Sequence, residues 1–203
     1  RMLPRVVSLA VPIASIAGAA ILLRRPGLAW DTTLDDGEAA ARGAGLARSF
    51  VLVAGAMAFL FLHLEIARTV GDLFPPARPA ALTFLWIAAC LALLSRATFA
   101  AGAAVAVAMA AVVLKLALFD LPGWGLDPSL TYAGPYSALD ALMRTLAFGA
   151  IVGFLAYATP RLRGLAGRRE DAEAASWSAA GLAIALGFVF VTLESNTALA
   201  RFA

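Results

Sequence analysis

The sequence predicts an all-α, polytopic bundle of about six transmembrane helices. Three observations carry this prediction. First, 62% of the 203 residues are hydrophobic and 14% charged, where a soluble domain has about half and about a quarter. Mean hydropathy is +0.86, so the apolar excess has to face lipid or pack in a bundle that does. Second, six apolar runs approach the roughly 20 helical residues that cross a bilayer core of about 30 Å. Third, the alternating segments of about ten residues that mark a membrane barrel are absent. Helices are then the form in which every backbone group finds a partner in lipid.

The runs follow in order. The first is Val6–Leu23, closed by Arg24, Arg25 and Pro26. Its basic flank resembles that of a secretory leader. The arginines directly after it, and the lack of a small-residue cleavage pattern, favour a true span. The second is about Phe50–Phe74, closed by Pro75-Pro76; the third, about Pro79–Leu94, is the shortest. The fourth is about Phe99–Phe119, closed by Asp120 and Pro122, and the fifth about Leu139–Thr159, closed by Pro160. The sixth is about Trp177–Ala200. All six belong to a single domain covering 1–203. Within the fourth run, Ala100/Ala104 and Ala106/Ala110 are small residues four apart, which let helices approach closely. This predicts that the fourth helix lies near the bundle centre.

Two connections are long. Pro26–Arg48 carries Asp31, Asp35, Asp36 and Glu38, and Thr33 or Asp35 would cap a short interfacial helix there. Leu121–Ser137 holds three prolines, three glycines, Trp124, Tyr132 and Tyr136. That composition predicts a loop folded back at headgroup level, where Trp and Tyr prefer to sit.

Arginine placement predicts orientation. The connections after the first, third and fifth runs hold nine arginines: Arg24, Arg25, Arg42, Arg48, Arg96, Arg161, Arg163, Arg168 and Arg169. The other side has Arg1, Arg5, Arg68, Arg78 and Arg201. Basic connections stay cytoplasmic, which puts both termini on the periplasmic face of a bacterial inner membrane. The pI near 9.6 reflects these connections. No basic patch interleaves with aromatics outside the apolar runs, so nucleic acid is not an expected partner. Membrane lipids, and other proteins in the membrane, are.

Charged groups at membrane depth are costly and are frequently functional. With this orientation they gather toward the outer side. The candidate polar cluster is His63, Glu65, Arg68, Lys115, Asp120, Asp140, Arg144 and Glu194. Residues three or four apart share a helix face, which predicts pairs Glu65–Arg68, Arg68–Asp72 and Asp140–Arg144. Lys115 is then expected to pair across helices with Glu194 or Glu65. The plainer alternative is that charges at helix ends snorkel to the interface and do nothing more. The heptapeptides Phe59–Glu65 and Phe188–Glu194 share the pattern Phe, apolar, Phe, apolar, any, Leu, Glu, 129 residues apart. A duplicated membrane unit would leave such an echo.

Several chemistries lack their residues. One histidine (His63) and one cysteine (Cys90), in different runs, supply neither a metal site nor a disulfide. No Gly-x-Ser-x-Gly elbow, phosphate-cradling glycine loop or Cys-x-x-Cys-His haem motif occurs. No catalytic residue, metal or cofactor is assigned. Glu65 and Glu194 leave room for carboxylate chemistry that nothing in the sequence specifies.

The stretch Lys115-Leu-Ala-Leu-Phe-Asp120-Leu121-Pro, then Leu139-Asp-Ala-Leu-Met-Arg144-Thr-Leu-Ala-Phe148-Gly149 and Tyr157-Ala-Thr-Pro-Arg161, resembles the C-terminal part of a family. It is the bacterial predicted membrane proteins catalogued as domain of unknown function 2339. The Leu64-Glu65 and Leu193-Glu194 span endings are similar too, and the resemblance covers about Ser49 to Arg201. It implies an array of hydrophobic helices. It transfers no catalytic residue, because the family has no assigned activity. The family is usually several times longer, which implies that this chain is a fragment, and the insert between Asp120 and Asp140 is unusually long. The first functional expectation is a non-enzymatic scaffold or subunit of a membrane or envelope assembly. A carrier with a polar site near the outer leaflet is the alternative, and an enzyme on a lipid-linked substrate comes third. A carrier expects Glu65 and Glu194 to face each other across a cavity. A scaffold expects a dry, ion-paired cluster.

Overall fold

The computed structural model describes residues 3–23, 36–95, 99–134, 136–163 and 169–201. The chain is all-α, with about six helices and no strand among the described residues. These are α1 (Leu3–Leu22), α2 (Asp36–Leu73), α3 (Arg78–Leu94), α4 (Phe99–Lys115), α5 (Ala138–Leu162) and α6 (Arg169–Leu199). Five stretches are long and apolar enough to cross a membrane: Ala41–Leu73, Pro75–Leu94, Gly102–Gly123, Ala138–Leu162 and Ala172–Leu199. Ala10–Leu22 is a shorter apolar helix. The chain is a membrane protein by the length and composition of these helices.

The helices overrun the predicted runs. Instead of a loop with a short interfacial helix, residues 36–48 are the first turns of α2 itself; Thr33 and Asp35 lie outside the described residues. Alanine and arginine there are strong helix formers, and nothing breaks the chain before Pro75. The 33 residues of Ala41–Leu73 make about 50 Å of helix, more than a hydrocarbon core of about 30 Å takes up. Pro160 does not close α5, which continues to Leu162. Its missing N–H costs the helix one hydrogen bond to the carbonyl four residues back, and the helix ends two residues later. The third run gains length from the 3₁₀ turn Pro75–Ala77, so the apolar stretch Pro75–Leu94 reaches 20 residues.

The chain forms two compact units, Arg1–Glu65 and Ile66–Ala203. In the first, a β-carbon on Gly43 would sit 3.2 Å from the carbonyl oxygen of Leu23, so the approach there suits glycine. In the second, α3 packs against α4 and α5, and α5 packs against α6. Burial follows the helical period. It falls on Ile87, Cys90 and Leu94 of α3, on Val105, Met109 and Val112 of α4, and on Phe148, Ile151, Leu155 and Ala158 of α5. Phe148 meets Phe190 of α6 with ring centroids 5.1 Å apart.

The expected central position of α4 is not observed within this unit. Its neighbour is α3, and α3 and α5 hold the middle. Ala104, Ala106 and Ala110 are exposed. The face that packs is the larger Val105–Met109–Val112 stripe, which offers more dispersion contact than alanine does.

Two isoleucines on neighbouring helices give a controlled comparison. Ile151 is fully buried (0% exposed) and Ile184 is 74% exposed. Ile151→Ala is expected to cost about 2–5 kcal/mol, and Ile184→Ala no more than about 0.5 kcal/mol. Thermal unfolding in detergent micelles, followed by circular dichroism, checks both.

Candidate functional site

The polar side chains of the second unit collect where α4 ends, α5 begins and α6 ends. The local backbone explains the first pair. Pro122 lacks an N–H and its ring would collide with the carbonyl of Leu118 in a regular helix. The chain answers with a wide π-helical turn over Leu116–Asp120, in which the Leu121 N–H bonds the Leu116 carbonyl. In an ordinary α-helix, residues five apart point about 140° away from each other. The wider turn brings them round, and Lys115 Nζ lies 2.6 Å from Asp120 Oδ2. The ammonium also reaches Thr83 Oγ1 at 3.3 Å and the Pro79 carbonyl at 3.4 Å. Its three N–H donors thus each have an acceptor, and two of the three acceptors belong to the first turns of α3.

The second pair joins α5 to α6. Arg144 is 5% exposed. Its Nε donates to Glu194 Oε1 at 2.6 Å and its Nη2 to Glu194 Oε2 at 3.2 Å. This two-pronged geometry is the strongest form of carboxylate recognition. The flat face of the guanidinium stacks on the Tyr132 ring, 4.1 Å from its centroid.

Tyr132 belongs to the long loop, which folds back as its composition predicts. A turn over Leu121–Gly123 leads to a bridge between Leu126 and Tyr132. The Asp127 N–H bonds the Thr131 carbonyl, and Asp127 Oδ1 accepts from the Ser129 N–H. Gly125 has φ +73° and a β-carbon there would press on Ala133 at 3.3 Å, so only glycine fits this close, left-handed position. The loop is fastened at three points to α6 and the residues just after it. The Tyr132 N–H donates to Thr197 Oγ1 at 3.0 Å, and that hydroxyl donates in turn to the Leu193 carbonyl. Asn196 Nδ2 reaches the Leu130 carbonyl at 3.5 Å, and Arg201 donates to the Gly134 carbonyl. Trp124 lies edge-on to Tyr132 and against Phe148. The loop therefore lies on the ends of α5 and α6, over the Arg144–Glu194 pair.

These contacts correct the pairing predicted from spacing. Lys115 pairs with Asp120, and Arg144 with Glu194. Lys115 pairs with neither Glu194 nor Glu65. Arg144 leaves Asp140, one turn behind it, for Glu194 on the facing helix. Asp140 sits in the first turn of α5, where its N–H bonds the Ser137 cap and its charge suits the helix dipole. Glu65–Arg68 and Arg68–Asp72 do not pair along α2; Arg68 and Asp72 are exposed. His63, half-buried, has Phe59 as a ring neighbour at 6.2 Å. His63 and Glu65 fall in the first compact unit and the other six cluster residues in the second. Among the described residues no three of His, Cys, Asp and Glu gather as metal ligands.

Sequence reasoning overlooked Thr83, Thr197 and the Tyr132 ring. Thr83 and Thr197 each bond a carbonyl four residues back, which frees a hydroxyl oxygen to accept from elsewhere. An interior threonine near a helix end facing a long aromatic loop was the available signal. Compared with protein-family models, curated proteins and solved structures, the chain gives no match in any of the three.

Two measurements follow. Arg144→Gln leaves the Glu194 carboxylate without its partner and is expected to cost about 3–5 kcal/mol. Arg144→Gln with Glu194→Gln removes both charges and should recover most of that loss, read as unfolding midpoints in detergent. The second concerns pH. Burial first, then the Glu194 carboxylate, push the Tyr132 phenol from its usual 10.0 up to about 12, with Arg144 pulling the other way. A raised pKa means that the folded state holds the proton more tightly. The stabilisation is complete below pH 10.0 and is lost as pH rises through about 12. Ultraviolet titration should show a late tyrosinate step near pH 12, absent from Tyr132→Phe.

Proposed function

We propose that the chain is a non-enzymatic structural subunit of a membrane assembly. The observation that carries this is the pairing of Lys115 with Asp120 and of Arg144 with Glu194. In a carrier, charged groups at membrane depth line a water-filled cavity or a solute path. Here Arg144 grips both oxygens of Glu194 beneath a closed loop, and Lys115 has acceptors for all of its donors. The same pairing supports the scaffold over an enzyme on a lipid-linked substrate, which needs a carboxylate open to lipid.

The chain on this reading passes the membrane several times, in a bacterial inner membrane, with the arginine-rich connections cytoplasmic and both termini periplasmic. Arg24, Arg25, Arg96 and Arg168 lie outside the described residues; the orientation rests on arginine distribution alone. Kinship with the domain of unknown function 2339 is part of the proposal. The Lys115, Asp120 and Arg144 positions of the shared motifs are the paired ones in this chain.

The test is chemical access to Glu194 in the full chain. A water-soluble carbodiimide with an amine nucleophile should leave Glu194 unlabelled while it modifies exposed carboxylates such as Asp127, read by mass spectrometry. In proteoliposomes the chain should support no proton or cation flux above empty vesicles. Rapid labelling of Glu194, with flux that Glu194→Gln abolishes, would sink the subunit reading and establish the carrier.

A further inference from the structure

Helix α2 differs from the other spans in how little of it the chain covers. Only 6% of its apolar stretch Ala41–Leu73 is buried, against between 22% and 39% of the four others. From Gly55 to Leu73 no residue is buried. Three charges nevertheless fall in that part: Glu65, half-buried, and Arg68 and Asp72, both exposed. Their spacings of three and four put them on one face of the helix. Along that face the order is acid, base, acid.

Glu65 is the costly member. It lies about 12 Å of helix before Leu73, further from the helix end than its own side chain can reach. Charges at such depth face a partner and pair there. Glu194, which closes the same heptapeptide pattern on α6, takes both prongs of Arg144. The side chains of Glu65, Arg68 and Asp72 make no ion pair or hydrogen bond with any described residue. Three charges on one uncovered face, with no answer inside the chain, call for an answer from outside it.

We propose that this face of α2 is a homodimer contact, in which two parallel copies meet and Arg68 of each lies between Glu65 and Asp72 of the other. The pattern is its own complement. A two-fold contact sets one surface patch against the same patch, and both copies carry it at one depth because both enter the membrane the same way. Arg68 then finds an acid on either side of its own level, about 4.5 and 6 Å away along the axis, within the span of an arginine side chain. A helix of another protein would have to bring a base at this level, flanked by acids for Arg68. The inference requires only that α2 crosses a membrane. It holds for either orientation and for any role of the Arg144 end.

The experiment uses the full chain in neutral-detergent micelles, with the oligomeric state read by sedimentation over a range of protein-to-detergent ratios. The wild type should be a dimer. Arg68→Gln keeps only the acids, and Glu65→Gln with Asp72→Asn keeps only the base. Each variant alone should dissociate roughly tenfold or more readily, the scale of polar contacts between membrane helices. Given different tags and mixed, the two should copurify, since one brings the base and the other the acids. Pairing along a single helix would gain nothing from mixing. Cysteine cross-linking in liposomes keeps every charge and serves if these variants fail to fold. Phe61→Cys, on the same face as Glu65 and Arg68, should join two copies on oxidation. Val70→Cys, on the far side of the helix, should not, and the native Cys90 is fully buried and silent. A wild type that is monomeric at every ratio, or an undiminished dimer in both charge variants, overturns the proposal. So does cross-linking through Val70→Cys in place of Phe61→Cys. Failure of the mixed variants to associate also overturns it, and leaves Glu65 to a helix of another protein.

Discussion

A guanidinium cannot give up its proton at any pH a cell meets, so Arg144 carries its charge wherever the fold puts it. The fold puts it at 5% exposure on a helix of a membrane protein. Everything around it can be read as a consequence. A carboxylate has to answer it, and Glu194 does so with both oxygens. The guanidinium face still needs a neighbour that is neither water nor plain hydrocarbon, and Tyr132 supplies a π-face. Tyr132 can reach that place only if the loop turns back over the helix ends. The turn needs Gly125 at positive φ and the loop backbone needs fastening, which Thr197, Asn196 and Arg201 provide. One fixed charge thus orders a segment that its composition would otherwise leave as a solvated connection.

Lys115 obeys the same constraint by a different route. Its partner is on its own helix, at a spacing that a regular helix would place on the wrong face. Pro122 supplies the solution, since it forces the wider turn that rotates Asp120 toward Lys115. The two extra acceptors on α3 then fix which helix α4 lies against. The small-residue stripe of α4 proved no guide to that choice. A buried ion pair bound to a neighbouring backbone sets position more firmly than a face of alanines does.

The fold was legible because the apolar runs of a membrane protein need only be long enough and closed by charge or proline. The ends were less legible. Asp36 to Arg48 looks like a loop by charge, yet helix propensity carries α2 through it. Pro160 looks like a stop, yet the helix gives up one hydrogen bond there and ends only after Leu162. The candidate cluster was half legible. Lys115, Asp120, Arg144 and Glu194 were all marked by being charged at membrane depth, but their partners were not. Spacing rules describe a helix in isolation, so they join Arg144 to Asp140. Desolvation favours the bidentate carboxylate on the facing helix, because there both oxygens and both helices gain. The echo between Phe59–Glu65 and Phe188–Glu194 meets the same limit. The residue 129 positions before Arg144 is Ser15, so the earlier glutamate has no counterpart of the arginine that answers the later one.

The two ends of the α5–α6 pair therefore differ in kind, although each carries arginines and aromatic rings. At the Arg144 end the arginine is buried, the ring closes over it and the carboxylate comes from within the chain. At the Arg161 end the rings of Tyr157 and Trp177 are exposed, and Arg161 and Arg163 each make a single hydrogen bond among the described residues. The physical difference is the loop. Thirteen residues of folded backbone (Leu121–Ala133) cover the first end, and its charges cancel internally.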